Sequence, residues 1–306
     1  MDRDLLAHFP VVLAVARRGG FAAAAGALNM SPSAVSHAVK LVEDRLGQPL
    51  FARTTRSVAL TEAGRHFVAS VGPALDQVGD SVERVQAARG RIAGTLRLNV
   101  PHLALPLAIT PAIVALGKKH PDLTVEIVAH EGLVDIVAEG FDAGVRLGEM
   151  IAHDMIAVRI TPPFRAIMVA SLAYLAERGA PATIAELADH NCIGYRLIAS
   201  HSVYQWDLQE DGRKIAVEVG GTVRITDSLY ARDLALRGVG IAYLFDPLVR
   251  DDLKAGRLHE VLPEAAIEEP GLFLYFPRYA SEAPKLRALI EALAGGRSRP
   301  GSDPAP

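Results

Sequence analysis

The chain has 306 residues, half of them apolar and 22% charged, an ordinary globular composition with enough length for two or three domains. No apolar run approaches the ~18 residues of a membrane span. The acids in Met1-Asp2-Arg3-Asp4 are unlike a secretory leader, and the single cysteine, Cys192, excludes a disulfide framework or a multi-cysteine metal site. The expectation is therefore a cytoplasmic protein in a reducing compartment.

The net charge of −3 argues at first against a nucleic-acid partner. It is unevenly spread: residues 1–90 hold 10 Lys and Arg against 8 Asp and Glu, and the rest hold 22 against 27. The mild asymmetry leaves a basic contact open at the front.

In chain order, Leu5, Leu6, Phe9, Val12, Leu13 and Ala16 form an apolar stripe at helical spacing, ended by Arg17-Arg18-Gly19-Gly20. Residues 21–28 read as a short Ala-rich helix. Asn29-Met30-Ser31-Pro32 then breaks the chain, with Ser31 as an N-cap and Pro32 in the first helical position. The next helix runs to about Leu46 and stops at Gly47. Helix, tight turn and second helix make a helix-turn-helix.

Spacing divides that last helix into two faces. Ala34, Val35, Ala38, Leu41 and Val42 fall on an inward apolar side, and Ser33, Ser36, His37 and Lys40 on the opposite one. The polar side is small and free of acids until Glu43. It suits entry into a major groove, and it equally suits a plain solvated surface. Residues 51–60 then read as two short strands around a basic turn, with Thr61 capping a following helix. A hairpin carrying Arg53 and Arg56 beside a helix-turn-helix is a wing that can grip phosphates.

The ordered motif Phe21-Ala22-Ala23-Ala24-Ala25, Leu28-Asn29-Met30-Ser31-Pro32-Ser33-Ala34-Val35-Ser36-His37, Leu46-Gly47-Gln48-Pro49-Leu50-Phe51-Ala52-Arg53 and Leu60-Thr61-Glu62-Ala63-Gly64 resembles the N-terminal domain of the LysR-type transcriptional regulators. The match is gapless over about the first 65 residues. Two positions differ from the family pattern. Pro32 stands where a polar residue, commonly Gln, is usual, and it cannot hydrogen-bond a base edge. Specificity would then rest on Ser33, Ser36, His37 and Lys40 or on DNA shape. Gly19-Gly20-Phe21-Ala22 replaces the usual Ser or Thr at the start of the second helix, where free N–H groups can still face a phosphate.

From Thr61 to about Arg89, Val68, Val71, Leu75, Val78, Val82 and Val85 recur at heptad spacing. Such a stripe packs on its own domain or on a second helix. The resemblance implies the second, a homodimer through the linker helix, with Val71, Leu75, Val78, Val82 and Val85 as its seam. Pro73 predicts a kink or a break near Gly72. A symmetric dimer implies an imperfect inverted repeat as the DNA target, and the family implies a homodimer or a homotetramer.

Beyond Gly94, β-branched runs alternate with helical stretches, a βαβ pattern. Strands are expected at 95–100, 123–129 and about 141–146. A second unit starts near Ala166 and includes 192–196, 217–225 and 240–244, with a last strand at 272–276 and a helix from about Ser281. This fits an α/β chain of winged helix-turn-helix, linker helix and two Rossmann-like, periplasmic-binding-protein-like subdomains joined by two crossovers. The expected units are 1–60 (DNA-binding head), 61–90 (linker), 91–162 with 268–296 (subdomain I), 163–267 (subdomain II) and 297–306 (flexible tail).

Ligands in such folds sit beyond the carboxyl ends of the strands, between the subdomains. The candidates are His102, Leu103, Arg146, Arg196, Thr226, Asp227 and Ser228. Thr226 or Asp227 equally reads as a helix cap. Arg146 and Arg196 hint at an anionic effector, or are ordinary surface cations. Cys192 reads as buried, and no histidine pair has metal-ligand spacing, so no cofactor or metal is expected. The leading function is a DNA-binding transcriptional regulator governed by a small molecule in the cleft. A cleft enzyme lacks a visible nucleophile–base pair, and a solute-binding module lacks a leader and leaves the wing motif unexplained.

Overall fold

The structure, a computed structural model, describes residues 3–53, 58–87, 91–148, 151 and 154–295. The first apolar stripe divides into α1 (Arg3–Leu6) and α2 (Phe9–Arg18). Pro10 explains the break. Inside one continuous helix it would leave the Leu6 carbonyl without a donor, whereas in the first turn of α2 its missing N–H leaves nothing unpaired. Leu6, expected on the stripe, is exposed. Gly19, in the left-handed conformation (φ 69°), ends α2.

Helix α3 (Phe21–Leu28) closes on Asn29, also left-handed, and α4 (Pro32–Leu46) starts at Ser31, whose Oγ accepts the Ala34 N–H at 3.1 Å. Strands β1 (Phe51–Arg53) and β2 (Val58–Leu60) pair antiparallel, Phe51 opposite Leu60. Val12, Val15, Ala25, Val35, Val39 and Phe67 share one core, and Phe9 meets Phe67 edge-to-face at 5.0 Å.

Two side chains and a close backbone approach bind wing and helices together. Glu43 Oε1 accepts the N–H groups of Leu50 (2.8 Å) and Phe51 (3.1 Å). Thr61 Oγ1 accepts the Gly64 N–H at 3.0 Å and donates to the Pro49 carbonyl at 2.7 Å. Gly64 itself lies so near the wing that a Cβ would sit 2.0 Å from the Leu50 carbonyl oxygen.

Helix α5 (Glu62–Ala87) runs on through Pro73, so the break expected near Gly72 does not occur. An interior proline costs ~3 kcal/mol, which packing on the head offsets: Phe67 and Val68 are buried, and Arg17 of α2 pairs with Asp76 at 2.8 Å.

The first sheet runs β4 (Leu123–Ala129), β3 (Gly94–Val100), β5 (Ala143–Leu147), β15 (Leu272–Pro277), β6 (Met155–Arg159). The first three are parallel and β15 is antiparallel to both neighbours. Helices α6 (Thr110–Lys119), entered through a π-helical turn at Leu105–Ile109, and α10 (Pro284–Gly295) contribute to its core.

The second sheet runs β11 (Arg224–Ile225), β8 (Cys192–Tyr195), β12 (Ile241–Phe245), β7 (Phe164–Ser171), β13 (Leu258–Val261), with β14 (Ile267–Glu269) also on β7. Along β7, Ile167 and Val169 enter one core while Met168 and Ala170 enter another. A strand covered on both faces reads as an unbroken apolar run, as AIMVA does.

The strand expected at 217–225 is corrected. β9 (Trp206–Glu210) and β10 (Arg213–Val217) form a hairpin across Asp211-Gly212, both at positive φ, and only Arg224–Ile225 rejoins the sheet. Between them Gly221 presses on β8, where a Cβ would meet the Cys192 carbonyl oxygen at 1.9 Å. Among the described residues no helix is long and apolar enough to cross a membrane.

Gly64→Ala should destabilise the head by about 1–3 kcal/mol, because the added methyl meets backbone that cannot rotate away. Thermal denaturation checks this; an unchanged Tm would show that the wing yields freely.

Candidate DNA-binding face and effector cleft

The buried side of α4 consists of Val35, Ala38, Val39 and Val42, with Leu41 half-buried. Ala34, expected inward, is exposed, and Val39 takes a core place that spacing had not assigned to it. The reason is that α4 packs between α2 and α3, which centres its contact on 35, 38, 39 and 42. Pro32, Ser33, His37 and Lys40 are exposed and Ser36 is half-buried. The Ser31 and Ser33 hydroxyls lie 2.9 Å apart at the helix start.

Helix α3 has no side-chain cap and no acid in its first turn, so its start carries no charge that repels a phosphate. Arg53 lies in β1 opposite Val58. Arg56, in the wing turn, and the tail from 296 onward lie outside the described residues.

The heptad stripe of α5 splits into two uses. Val68 is buried, and Val71 is half-buried and packs in part on the head core. The physical cause is the close Gly64–Leu50 approach, which lays the first turns of α5 on α2. Leu75 is half-buried. Val78, Val82 and Val85 are 61%, 55% and 71% exposed. With Ser81 they form an exposed, largely apolar strip on one side of the distal part of α5.

The subdomains are linked by segments 160–163 and 270–271, which pair with each other. Ile160 N–H donates to the Leu272 carbonyl at 2.8 Å, and Leu272 N–H donates to Thr161 Oγ1 at 2.8 Å. Facing strand ends then meet across the cleft. His102 follows β3, residue 131 follows β4, Tyr195 ends β8, and Asp227 precedes α8 (Ser228–Leu236). His102 Nδ1 lies 3.0 Å from Glu131 Oε1 and 3.3 Å from Asp227 Oδ2. The His102 N–H also donates to Glu131 Oε1 at 2.9 Å.

Asp227 is both cap and cleft residue: Oδ1 accepts the Tyr230 N–H at 2.9 Å while Oδ2 faces His102. Thr226 is exposed beside it, and the Ser228 Oγ is shielded from solvent with no hydrogen-bond partner. Tyr195 reaches toward Glu131 Oε2 at 3.5 Å; burial first, then the Glu131 and Asp227 carboxylates, push its phenol up, so it stays a donor. His102, Glu131 and Asp227 are the set that could hold a metal ion.

Three expected cleft residues are engaged within the fold. Leu103 is buried in the core of the first sheet. Arg146, 2% exposed, donates to Asn99 Oδ1 (2.6 Å) and to the carbonyls of Val145 (2.6 Å) and Gly132 (2.5 Å). Burial pushes its pKa down, opposed by Tyr275 and Glu131. Arg196 donates to the His201 carbonyl at 2.7 Å and closes the loop after β8. Arg146 is buried and spends its terminal nitrogens on Asn99 and backbone carbonyls, whereas Arg196 is half-buried and uses one terminal nitrogen in its loop contact.

Glu131 escaped the sequence reading, although it follows a strand as His102 does. Burial pushes the Cys192 thiol up to about 12, which removes it as a nucleophile near neutral pH. Gly238-Val239-Gly240 is a turn between α8 and β12; a Cβ on Gly240 would meet the Asn191 carbonyl oxygen at 2.0 Å.

Comparison with known proteins agrees with this architecture. Residues 6–65 match the family model described as bacterial regulatory helix-turn-helix protein, lysR family, and 89–297 match the LysR substrate binding domain. A transcriptional regulator of Pseudomonas aeruginosa is 37% identical over 287 residues, covering 94% of each chain. The regulator PgrR of Escherichia coli is 35% identical, covering 92% of this chain and 95% of its own. The structure of CrgA, a LysR-type regulator from Neisseria meningitidis, superposes with a TM-score of 0.61 at 26% identity, over 96% of this chain and 99% of that one. The chain therefore belongs to the LysR-type transcriptional regulators, with a DNA-binding head and an effector-binding domain.

Asp227→Ala should cost about 1 kcal/mol through the lost cap, whereas Asp227→Asn should stay near wild type because asparagine caps equally well. Urea unfolding distinguishes them, and equal midpoints for both variants would show that the cap contributes nothing.

Proposed function

We propose that the chain acts in the cytoplasm as a homodimer, or a dimer of dimers, that binds an imperfect inverted repeat and changes its grip on DNA when a small molecule enters the cleft. The acid-free face of Ser33, Ser36, His37 and Lys40 on a capped, wing-flanked helix carries this reading. Pro32 pre-sets the helix start, and Arg53 and Arg56 supply phosphate contacts from the wing. The units are the head at 1–60, the linker at 61–90, subdomain I at 91–162 with 270–296, subdomain II at 163–269, where β14 pairs with β7, and a tail at 297–306.

Val71, Leu75, Val78, Val82 and Val85 form the subunit seam. Exposed valines in such a row gain about 25 cal/mol per Å² when a second helix covers them. His102, Thr226, Asp227 and Ser228, joined by Glu131 and Tyr195, receive the effector. Arg146 and Arg196 position the backbone around them. An effector that draws the two subdomains together would respace the two heads and so alter DNA affinity.

A gel shift with duplex from the flank of its own gene, at several salt concentrations, tests the DNA reading. Lys40→Ala should weaken binding to all sequences and lower the salt slope by about 1, while His37→Ala should change the preference among half-site variants. Unaltered affinity and preference in both variants would remove this face from the interface.

The seam is tested by Val78→Lys combined with Val82→Lys. Because both side chains are exposed, the subunit should keep its circular dichroism yet sediment as a monomer and lose specific DNA binding. Wild-type sedimentation and gel shifts would overturn the seam.

A further inference from the structure

We propose that His102, Glu131 and Asp227 form a binding site for one divalent transition-metal ion, which ties the two effector subdomains together across the cleft. The proposal deepens the effector-cleft reading and rests on it for its regulatory consequence. The three side chains come from positions far apart in sequence, and one donor atom from each lies within 4.8 Å of the others. The imidazole Nδ1 is 3.0 Å from Glu131 Oε1 and 3.3 Å from Asp227 Oδ2. Donors bound at about 2.0–2.2 Å around a zinc-like ion stand roughly 3–3.5 Å apart, so little movement is required.

Charge and burial point the same way. With a neutral imidazole the donor set carries two negative charges, which a divalent ion balances. The Glu131 side chain is only 10% exposed, and its Oε2 meets only the distant Tyr195 hydroxyl among the hydrogen bonds of the described residues. A carboxylate that deeply placed favours a bound cation; Arg146 acts on it electrostatically, but its terminal nitrogens hydrogen-bond Asn99 and backbone carbonyls. The helix start at α8 opposes a cation, but its cap carboxylate lies nearer and supplies a full charge.

The surroundings orient the ligands as an outer shell does. The His102 N–H holds Glu131 Oε1, Tyr195 approaches Oε2, and the Tyr230 N–H holds Asp227 Oδ1 while leaving Oδ2 for the ion. Replacing the His102–Glu131 contact by two bonds to a shared ion keeps both in place. One nitrogen and two oxygens suit Zn2+ or Mn2+ better than Mg2+ or Ca2+, which prefer oxygen alone. His102, 38% exposed in its side chain, gives the ion an entry from solvent. Two ligands belong to subdomain I and one to subdomain II, so binding favours the closed cleft. Three protein ligands also leave coordination positions for water or an oxygen of an organic effector.

The test uses the full chain, stripped with a chelator and dialysed against Zn2+ or Mn2+ alone, with bound metal counted by mass spectrometry. One ion per protomer is expected in the wild type, together with a raised Tm. Glu131→Gln and Asp227→Asn should each weaken that binding by at least about tenfold. Asp227→Asn retains the helix cap, so it keeps the test valid should Glu131→Gln fail to fold. No bound ion at about 100 μM metal, the outcome of a protonated His102 bridging the carboxylates by itself, would overturn the site. So would undiminished binding in the variants. A gel shift on the same samples separates the two readings. Specific DNA binding without any retained metal overturns the site and leaves the regulator intact. Metal retention without specific DNA binding in any form supports the site and overturns the regulator.

Discussion

Two short backbone crossings, at 160–163 and 270–271, carry the chain between the effector subdomains, and everything proposed for the cleft depends on how they are held. Their hydrogen bonds to one another, through Ile160, Thr161 and Leu272, make the crossings one unit. Gly271 allows the close approach: its φ is +90°, and a Cβ there would meet the Pro162 carbonyl oxygen at 2.6 Å. With the hinge side held, motion of one subdomain against the other is focused on the opposite side, where strand ends bring His102 and Glu131 to Asp227. A bond across that gap therefore acts on the whole relative position of the subdomains, and few groups suffice to bias it.

The DNA-binding head follows a similar economy of contacts. Glu43 sits on α4 but directs its carboxylate to the backbone of Leu50 and Phe51, so this acid is taken up by the wing. Gly64 and Thr61 attach α5 to the same strand pair. Helix α5 thereby serves the head core through Phe67 and Val68 and presents Val78, Val82 and Val85 outward from one continuous rod.

Much of this was legible in the residues because the signals are local. Caps at Ser31 and Thr61, glycines ending α2 and α4, and the periodicity of 123–129 depend on neighbours within one turn or one strand. Errors arose where distant packing decides. Ala34 and Val39 differ by which side α2 and α3 cover. The run 217–225 has strand-like composition, yet Gly221 lies against β8 and a hairpin supplies the pairing instead.

The sequence by itself determined the class of protein, the order of its parts, the capped helix with its polar face and the inner strands of both sheets, because these rest on periodicity and on an ordered motif, while β6, β13 and β14 drew no expectation. The tertiary structure decided which charged groups remain free. Arg146 is claimed by Asn99 and buried carbonyls, while Arg196 holds an exposed loop carbonyl. Glu131 drew no attention in the sequence, and the meeting of two strand ends with the start of α8 makes it central. A side chain's chemistry is set by what surrounds it, and residues 29 to 125 positions apart become neighbours only when the two sheets are brought together.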